Sequence, residues 1–183
     1  MSIGVNFLKI LILTGSPHKN GTSNTLTKEF QRGALESGHK VEIYDCANGN
    51  IHPCLGCDCC KMSGICCQND DGNTVLKKLL FSDMVVFSTP VYYFGMSAQL
   101  KMIIDRFYAR NKDITNKHLK TALIATAWSG RPDIMNGIQM HFDIIFNYLS
   151  FEKVGTILAK NSGTVEMLSE KYLEEAYELG KKI

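Results

Sequence analysis

Phe7-Leu8-Lys9-Ile10-Leu11-Ile12-Leu13 is a nearly unbroken apolar run that leads straight into Thr14-Gly15-Ser16-Pro17. A short run of this kind, closed by turn residues, reads as a central parallel strand and its exit turn. Beyond the turn, Leu26, Phe30 and Ala34 recur at helical spacing and Gly38 closes the segment. The chain therefore opens with a βα unit, and the pattern continues. Val41-Glu42-Ile43-Tyr44 alternates like an edge strand, Met84-Val85-Val86-Phe87 is a fully apolar third strand, and residues 121–127 and 154–159 supply a fourth and a fifth. Helical spacing joins Val75, Leu76, Leu79 and Leu80, then Leu100, Ile103, Ile104 and Phe107, then Ile134, Ile138, Phe142, Ile145 and Leu149, where Pro132 stands at the first helical position. Val165, Leu168, Tyr172, Ala176 and Leu179 predict a terminal helix. Five strands alternating with helices predict an α/β, doubly wound parallel sheet, with its ligand beyond the carboxyl ends of the strands. The loops at 14–23, 89–96 and 128–131 are then expected to converge, in a single domain spanning residues 1–183.

The 183 residues are 45% hydrophobic and 21% charged, which disfavours collagen-like, disordered and disulfide-knot classes. A net charge of +2 without a clustered basic patch implies neither a nucleic-acid partner nor an anionic membrane surface. The early apolar stretch from Val5 to Thr14 is interrupted by Lys9, lacks a small-residue cleavage site and is too short to span a bilayer. The expected compartment is the reducing cytoplasm, where seven cysteines are not a disulfide framework.

Gly15-Ser16-Pro17-His18-Lys19-Asn20-Gly21-Thr22-Ser23-Asn24 packs hydroxyls, amides and glycines between a strand and a helix N-terminus, a natural anion site. No Gly-Lys-Ser/Thr follows, as a nucleotide triphosphatase loop requires, and Gly-x-Gly-x-x-Gly is absent. The loop suits a phosphate monoester held by N–H and O–H donors, as FMN is held in flavodoxin-like proteins; an ordinary βα turn with a Ser/Thr cap is the plainer alternative. Thr89-Pro90-Val91-Tyr92-Tyr93-Phe94-Gly95 puts three aromatics where a loop is ordinarily polar. They suit the flat isoalloxazine ring, or packing against a helix or a partner subunit, and Trp128-Ser129-Gly130 is placed to add a third wall. The candidate FMN-binding residues are thus Ser16, His18, Thr22, Ser23, Asn24, Pro90, Val91, Tyr92, Tyr93, Phe94, Gly95, Trp128, Ser129 and Gly130. Lys19 reads as a solvated loop charge.

These two loops, with Leu100-Lys101-x-x-x-Asp105-Arg106, resemble the NADPH-dependent FMN reductase family of the flavodoxin-like superfamily over about residues 7–130. The resemblance implies a strand order of 2-1-3-4-5, FMN as cofactor, NAD(P)H as co-substrate and a homodimer or higher homo-oligomer. It differs at His18, where the family usually has Arg, so a permanent charge near the phosphate becomes conditional on pH.

Cys54, Cys57, Cys59, Cys60, Cys66 and Cys67 fall within fourteen residues of a segment with little regular pattern. An irregular loop this long, about 46–71, needs something to tie it down, and a metal centre is one candidate. Cys54-x2-Cys57-x2-Cys60-x5-Cys66 has a spacing that reaches the corners of a cubane [4Fe–4S] cluster, whereas zinc ribbons use two distant Cys pairs. The pattern also resembles the iron-sulfur flavoproteins of the same family, with Pro53 before and Asp70-Asp71 after the four ligands. The additional Cys59 and Cys67 leave the register open by one residue, and bound zinc, or thiols that are free or oxidised, remain alternatives.

FMN accepts hydride and releases electrons singly, so the chemistry belongs to the flavin and no catalytic side chain is expected. The expected function is that of an FMN-dependent oxidoreductase moving electrons between NAD(P)H and a small acceptor such as a flavin or quinone, with the [4Fe–4S] cluster as a candidate second centre. The alternatives are a one-electron shuttle to an electron-transfer protein such as ferredoxin, or a non-catalytic zinc or redox-sensing module.

Overall fold

The strand that opens the sequence is the centre of the sheet. The computed structural model describes residues 7–62 and 64–183, so Val5 and Asn6 of the first apolar stretch lie outside the described residues. β1 (Lys9–Thr14) is followed by α1 (Thr22–Glu36), β2 (Lys40–Asp45) and α2 (Gly72–Phe81). β3 (Met84–Tyr92) and the two-residue β4 (Gly95–Met96) precede α3 (Ala98–Arg106), a 3-10 turn (Phe107–Arg110) and α4 (Asn111–Thr115). β5 (Lys120–Thr126), α5 (Pro132–Tyr148) and β6 (Glu152–Ala159) complete the sheet, and a 3-10 turn (Val165–Met167) leads to α6 (Glu170–Lys182). The parallel order is β2-β1-β3-β5-β6, the expected 2-1-3-4-5 with β4 added as an antiparallel partner of β3.

Side chains alternate across a strand, so β1 serves two cores at once. Leu11 and Leu13 join Val85, Phe87 and Leu123 on the α2/α3/α5 side, whereas Ile10 and Ile12 join Val86, Ile124 and Ile157 beneath α1 and α6. Covering both faces is why the central strands read as continuous apolar runs, and β2, at the edge, does not. Helices α1 and α6 touch backbone to backbone, because a side chain at Gly33 or Gly180 would run into the other helix's main chain. Phe87 packs against Phe107, Phe142 and Phe146 with ring centroids 6.3, 5.5 and 5.6 Å apart, tying the 3-10 turn after α3 to the sheet.

Two expectations need correction. Among the described residues the five expected parallel strands form, and the short antiparallel β4 is added to them, since a two-residue strand carries no periodicity to read. The terminal helix begins at Glu170; Val165 lies in the separate 3-10 turn, partly exposed, and Leu168 follows that turn and is buried in the core. Among the described residues no helix is long and apolar enough to cross a membrane.

Between β2 and α2 the chain is irregular, as expected, but its own side chains pin it. Arg106 and Asp70 form a two-pronged ion pair, Nη1 to Oδ2 at 2.7 Å and Nη2 to Oδ1 at 3.0 Å, with both side chains sealed from solvent. Arg106 also donates to the His52 carbonyl at 3.0 Å, while the N–H groups of His52 and Gly72 donate to the Asp70 carboxylate, each at 2.9 Å. Further along, Asp71 accepts from Tyr44 Oη and Asn50 N–H, Gln68 donates to the Pro53 carbonyl, and Tyr108 Oη donates to Asp58 at 2.8 Å. Burial by itself would raise the Asp70 carboxyl, but Arg106 and the two N–H donors outweigh it and hold the group at about 2 against an ordinary 3.8.

Removing the carboxylate charge leaves a buried guanidinium unpaired. Asp70→Asn should therefore destabilise the chain by about 3–5 kcal/mol in urea melts and open residues 52–70 to protease, and a compensating Arg106→Met should recover part of the loss. Because the folded value is depressed, this stabilisation is complete above about pH 4 and disappears as pH falls towards 2. The parent should thus lose stability across that window more steeply than Asp70→Asn.

Candidate functional site

Where β1 ends, the Gly15 N–H donates to the Ser88 carbonyl at 2.8 Å and turns the chain towards α1. The turn closes on itself: Ser16 Oγ accepts from the His18 N–H at 3.2 Å, and the His18 carbonyl accepts from Gly21 N–H at 2.9 Å and Asn24 Nδ2 at 3.0 Å. Gly21 caps α1 in extended conformation, no side chain caps the first turn, and that turn holds no acidic residue. The positive end of the helix is thus left open for an anion. Thr22 is fixed across the sheet edge by donating from Oγ1 to Thr126 Oγ1 at 3.1 Å.

This turn forms one wall of a cavity of about 690 Å³, within the range of small-ligand sites. Of the residues expected to bind FMN, Ser16, His18, Thr22, Ser23, Pro90, Val91, Tyr92 and Trp128 line it together. Asn24, Tyr93, Phe94, Gly95, Ser129 and Gly130 do not. Asn24 braces the turn from behind, Ser129 Oγ accepts from the Arg131 N–H, and Gly130 lies against the Asn161 side chain.

Lys19, Asn20, Gly21, Thr126 and the stretch from Ser162 to Glu166 also line the cavity and were not among the expected binding residues. The last group leaves the carboxyl end of β6, so the rule that predicted the other three loops also covered this one. Gly163 lets the Trp128 ring approach its backbone closely; any side chain there would collide with the ring.

The aromatic loop is a hairpin, with Tyr92 of β3 paired to Gly95 of β4. Its two turn residues, Tyr93 and Phe94, have φ of 45° and 68°, values that such turns ordinarily reserve for Asn and Gly. Tyr93 is fully exposed and Phe94 largely so.

A second cavity, about 670 Å³, lies beside the α3 end and α5, and shares no lining residue with the first. Cys54, Cys57, Cys60 and Cys66 all line it, opposite Phe107, Tyr108, Ile144 and Tyr148, whereas Cys59 and Cys67 do not. Among the described residues, no three His, Cys, Asp or Glu side chains converge as a single metal ion requires. Cys67 Sγ stands 3.8 Å from Cys57 Sγ. The Cys59 N–H donates to the Cys57 sulfur and lowers that thiol's pKa, while Cys59 and Cys57 beside it push Cys67 up to about 12. Arg106 stays charged against its burial because Asp70, and next to it Cys66, favour the cation. Cys46 belongs to the core instead, where burial pushes its thiol up to about 12.

A family model described as NADPH-dependent FMN reductase matches residues 8–163. An iron-sulfur flavoprotein of Methanocaldococcus jannaschii is 37% identical over 112 residues, which cover 57% of this chain and 58% of that protein. One of Archaeoglobus fulgidus is 30% identical over 132 residues, 71% of this chain and 60% of that protein. The match to these relatives thus spans little more than half of their length. In three dimensions the chain superposes on an NAD(P)H:quinone oxidoreductase from Methanothermobacter marburgensis with a TM-score of 0.79 at 19% identity, covering 96% of this chain and 95% of that one. At that identity the likeness is one of fold.

The strain in the hairpin is directly measurable. Replacing Tyr93 and Phe94 by Asn and Gly should raise stability by about 1–2 kcal/mol in urea melts, since each non-glycine residue at positive φ costs about 1–3 kcal/mol unless offset. An unchanged midpoint would mean that the aromatics offset the strain by packing.

Proposed function

This chain belongs to the NADPH-dependent FMN reductase family, and from that premise we propose that it is an oxidoreductase that binds FMN in the cavity between the 14–23 turn and the β3 exit. Electrons would pass from NAD(P)H to a small acceptor such as a flavin or quinone. The observation that carries the reading is a single cavity with an open helix N-terminus and buried hydroxyls at one end and Pro90, Val91, Tyr92 and Trp128 at the other. That division matches a phosphate monoester joined to a flat ring. Ser16, Thr22, Ser23 and the first-turn N–H groups hold the phosphate, Lys19 and His18 stand at the rim where an anionic nucleotide arrives, and Trp128 on Gly163 walls the ring end. Bound FMN supplies hydride acceptance and one- or two-electron release; the protein binds, orients and shields it.

The same proposal assigns Cys54, Cys57, Cys60 and Cys66 as thiolate ligands of a [4Fe–4S] cluster. The donor set fits: these four sulfur-bearing residues face one cavity, and the two cysteines that the spacing left over do not. A bound cluster would store single electrons. Exposed Tyr93 and Phe94, with Met140, Ile144 and Tyr148 along α5, support a homo-oligomer, and so thiol-rich a loop supports the reducing cytoplasm as its compartment.

Ser16→Leu with Ser23→Leu should weaken FMN binding roughly ten- to hundredfold, the worth of one or two hydrogen bonds to a charged group. Flavin fluorescence titration reads this, with circular dichroism to verify folding. A bound flavin that stays oxidised under excess NADH and NADPH, but is reduced by ferredoxin, would replace the reductase reading with a one-electron carrier.

Alanine at any of Cys54, Cys57, Cys60 or Cys66 should abolish iron and acid-labile sulfide in anaerobically prepared protein, whereas Cys59→Ala and Cys67→Ala should leave both nearly unchanged. Stoichiometric zinc without iron would overturn the cluster.

A further inference from the structure

Cys67 has no place in the proposed ligand set, yet its sulfur stands 3.8 Å from that of Cys57 and both residues are exposed. A disulfide needs about 2.05 Å between sulfurs, so side-chain rotation has to close less than 2 Å. The backbone on either side is already held. Asn73 grips Cys66 twice, accepting from its N–H at 3.0 Å and donating to its carbonyl at 2.9 Å. Gln68 bridges to the Pro53 carbonyl at 3.0 Å, and Tyr108 holds Asp58. The two limbs of the loop therefore face each other at fixed spacing, with Cys57 on one and Cys67 on the other.

We propose that Cys57 and Cys67 are a peroxide-oxidisable dithiol whose disulfide withdraws Cys57 from the cavity and blocks cluster assembly until a thiol reductant reopens it. The consequence for assembly rests on the ligand set proposed above; the disulfide itself does not. In the first step the Cys57 thiolate attacks one peroxide oxygen, the O–O bond breaks, and Cys57 becomes a sulfenic acid as the other oxygen leaves as water. In the second, the Cys67 sulfur attacks the Cys57 sulfur, the S–S bond forms, the S–O bond breaks and a second water departs. Two thiols lose two electrons and peroxide gains them. An external dithiol reverses the change by exchange.

The test uses the full chain, freed of iron by chelation and treated with one equivalent of hydrogen peroxide. Remaining thiols are then alkylated and the digest is analysed by mass spectrometry with and without reductant. The expected result is a reductant-sensitive crosslink joining the peptides of Cys57 and Cys67, lost in both Cys57→Ser and Cys67→Ser. A crosslink of Cys67 to Cys59, a pair among other cysteines, or six alkylatable thiols in the 54–67 segment after peroxide would overturn the dithiol. Parallel samples receive ferrous iron and sulfide, and bound iron is measured. Peroxide should abolish iron uptake by the parent and dithiothreitol restore it, while Cys67→Ser, which lacks the resolving thiol, should give no crosslink and leave a Cys57 sulfenic acid that dimedone traps; a Cys57 that stays unlabelled there would overturn the first step. A Cys57–Cys67 crosslink that forms without lowering iron uptake would overturn the block on assembly and remove Cys57 from the ligand set, leaving the disulfide itself standing.

Discussion

A buried guanidinium facing a buried carboxylate organises half of this molecule. Arg106 comes from the last turn of α3, and Asp70 stands two residues before α2. Taking two charges out of water is expensive, and it is tolerated only where geometry and extra hydrogen bonds compensate. Here the fork matches the carboxylate prong for prong, His52 and Gly72 add three further hydrogen bonds, and Arg106 Nε is buried without a partner among the described residues. His52 begins the cysteine-rich stretch and Gly72 ends it. One ion pair therefore brings both ends of the loop to the same point on the scaffold, and the cavity between loop, α3 and α5 follows from that closure. The loop is tied down by protein groups, with or without a metal centre.

The other half rests on the sheet's carboxyl edge. A parallel strand delivers its exit loop to that edge, and the following helix points its N-terminus there, so hydrogen-bond donors accumulate where the chain reverses. Leaving α1 without a side-chain cap spends none of those donors internally. Beyond Tyr92 the hairpin sets aromatics at a turn whose positive φ values suit Asn and Gly. Strain concentrated at one exposed aromatic tip is a local inconsistency of the kind that clusters at functional surfaces.

Six crowded cysteines fall into two groups by position. Four line one largely apolar hollow, and two stand outside it. Phe107, Tyr108, Ile144 and Tyr148 line the same hollow, in which Cys54 and Cys57 stay exposed, while Arg106 places a fixed positive charge beside Cys66.

The doubly wound sheet was legible in the sequence because burial on both faces leaves continuous apolar strands, and because period 2 and period 3.6 are local properties. The hydroxyl-rich turn after β1 was legible for the same reason: its residues are contiguous. Reading stopped where the signal was either too short or not local. β4 spans two residues, and Val165 carries a helical-looking spacing that the chain abandons before α6. Ser162 to Glu166 carry no motif of their own and join the first cavity only because β6 lies beside β5. The spacing of Cys54, Cys57, Cys60 and Cys66 singled out four sulfurs, but that they share a cavity, that Cys67 instead meets Cys57, and that Asp70 meets Arg106 across thirty-six residues depended on how the loop packs. Sequence by itself determined which segments are strands and helices and which residues are chemically suited to a site. Which of those residues meet was decided by tertiary structure, because contacts between distant segments depend on the relative placement of whole elements, and no local periodicity encodes that.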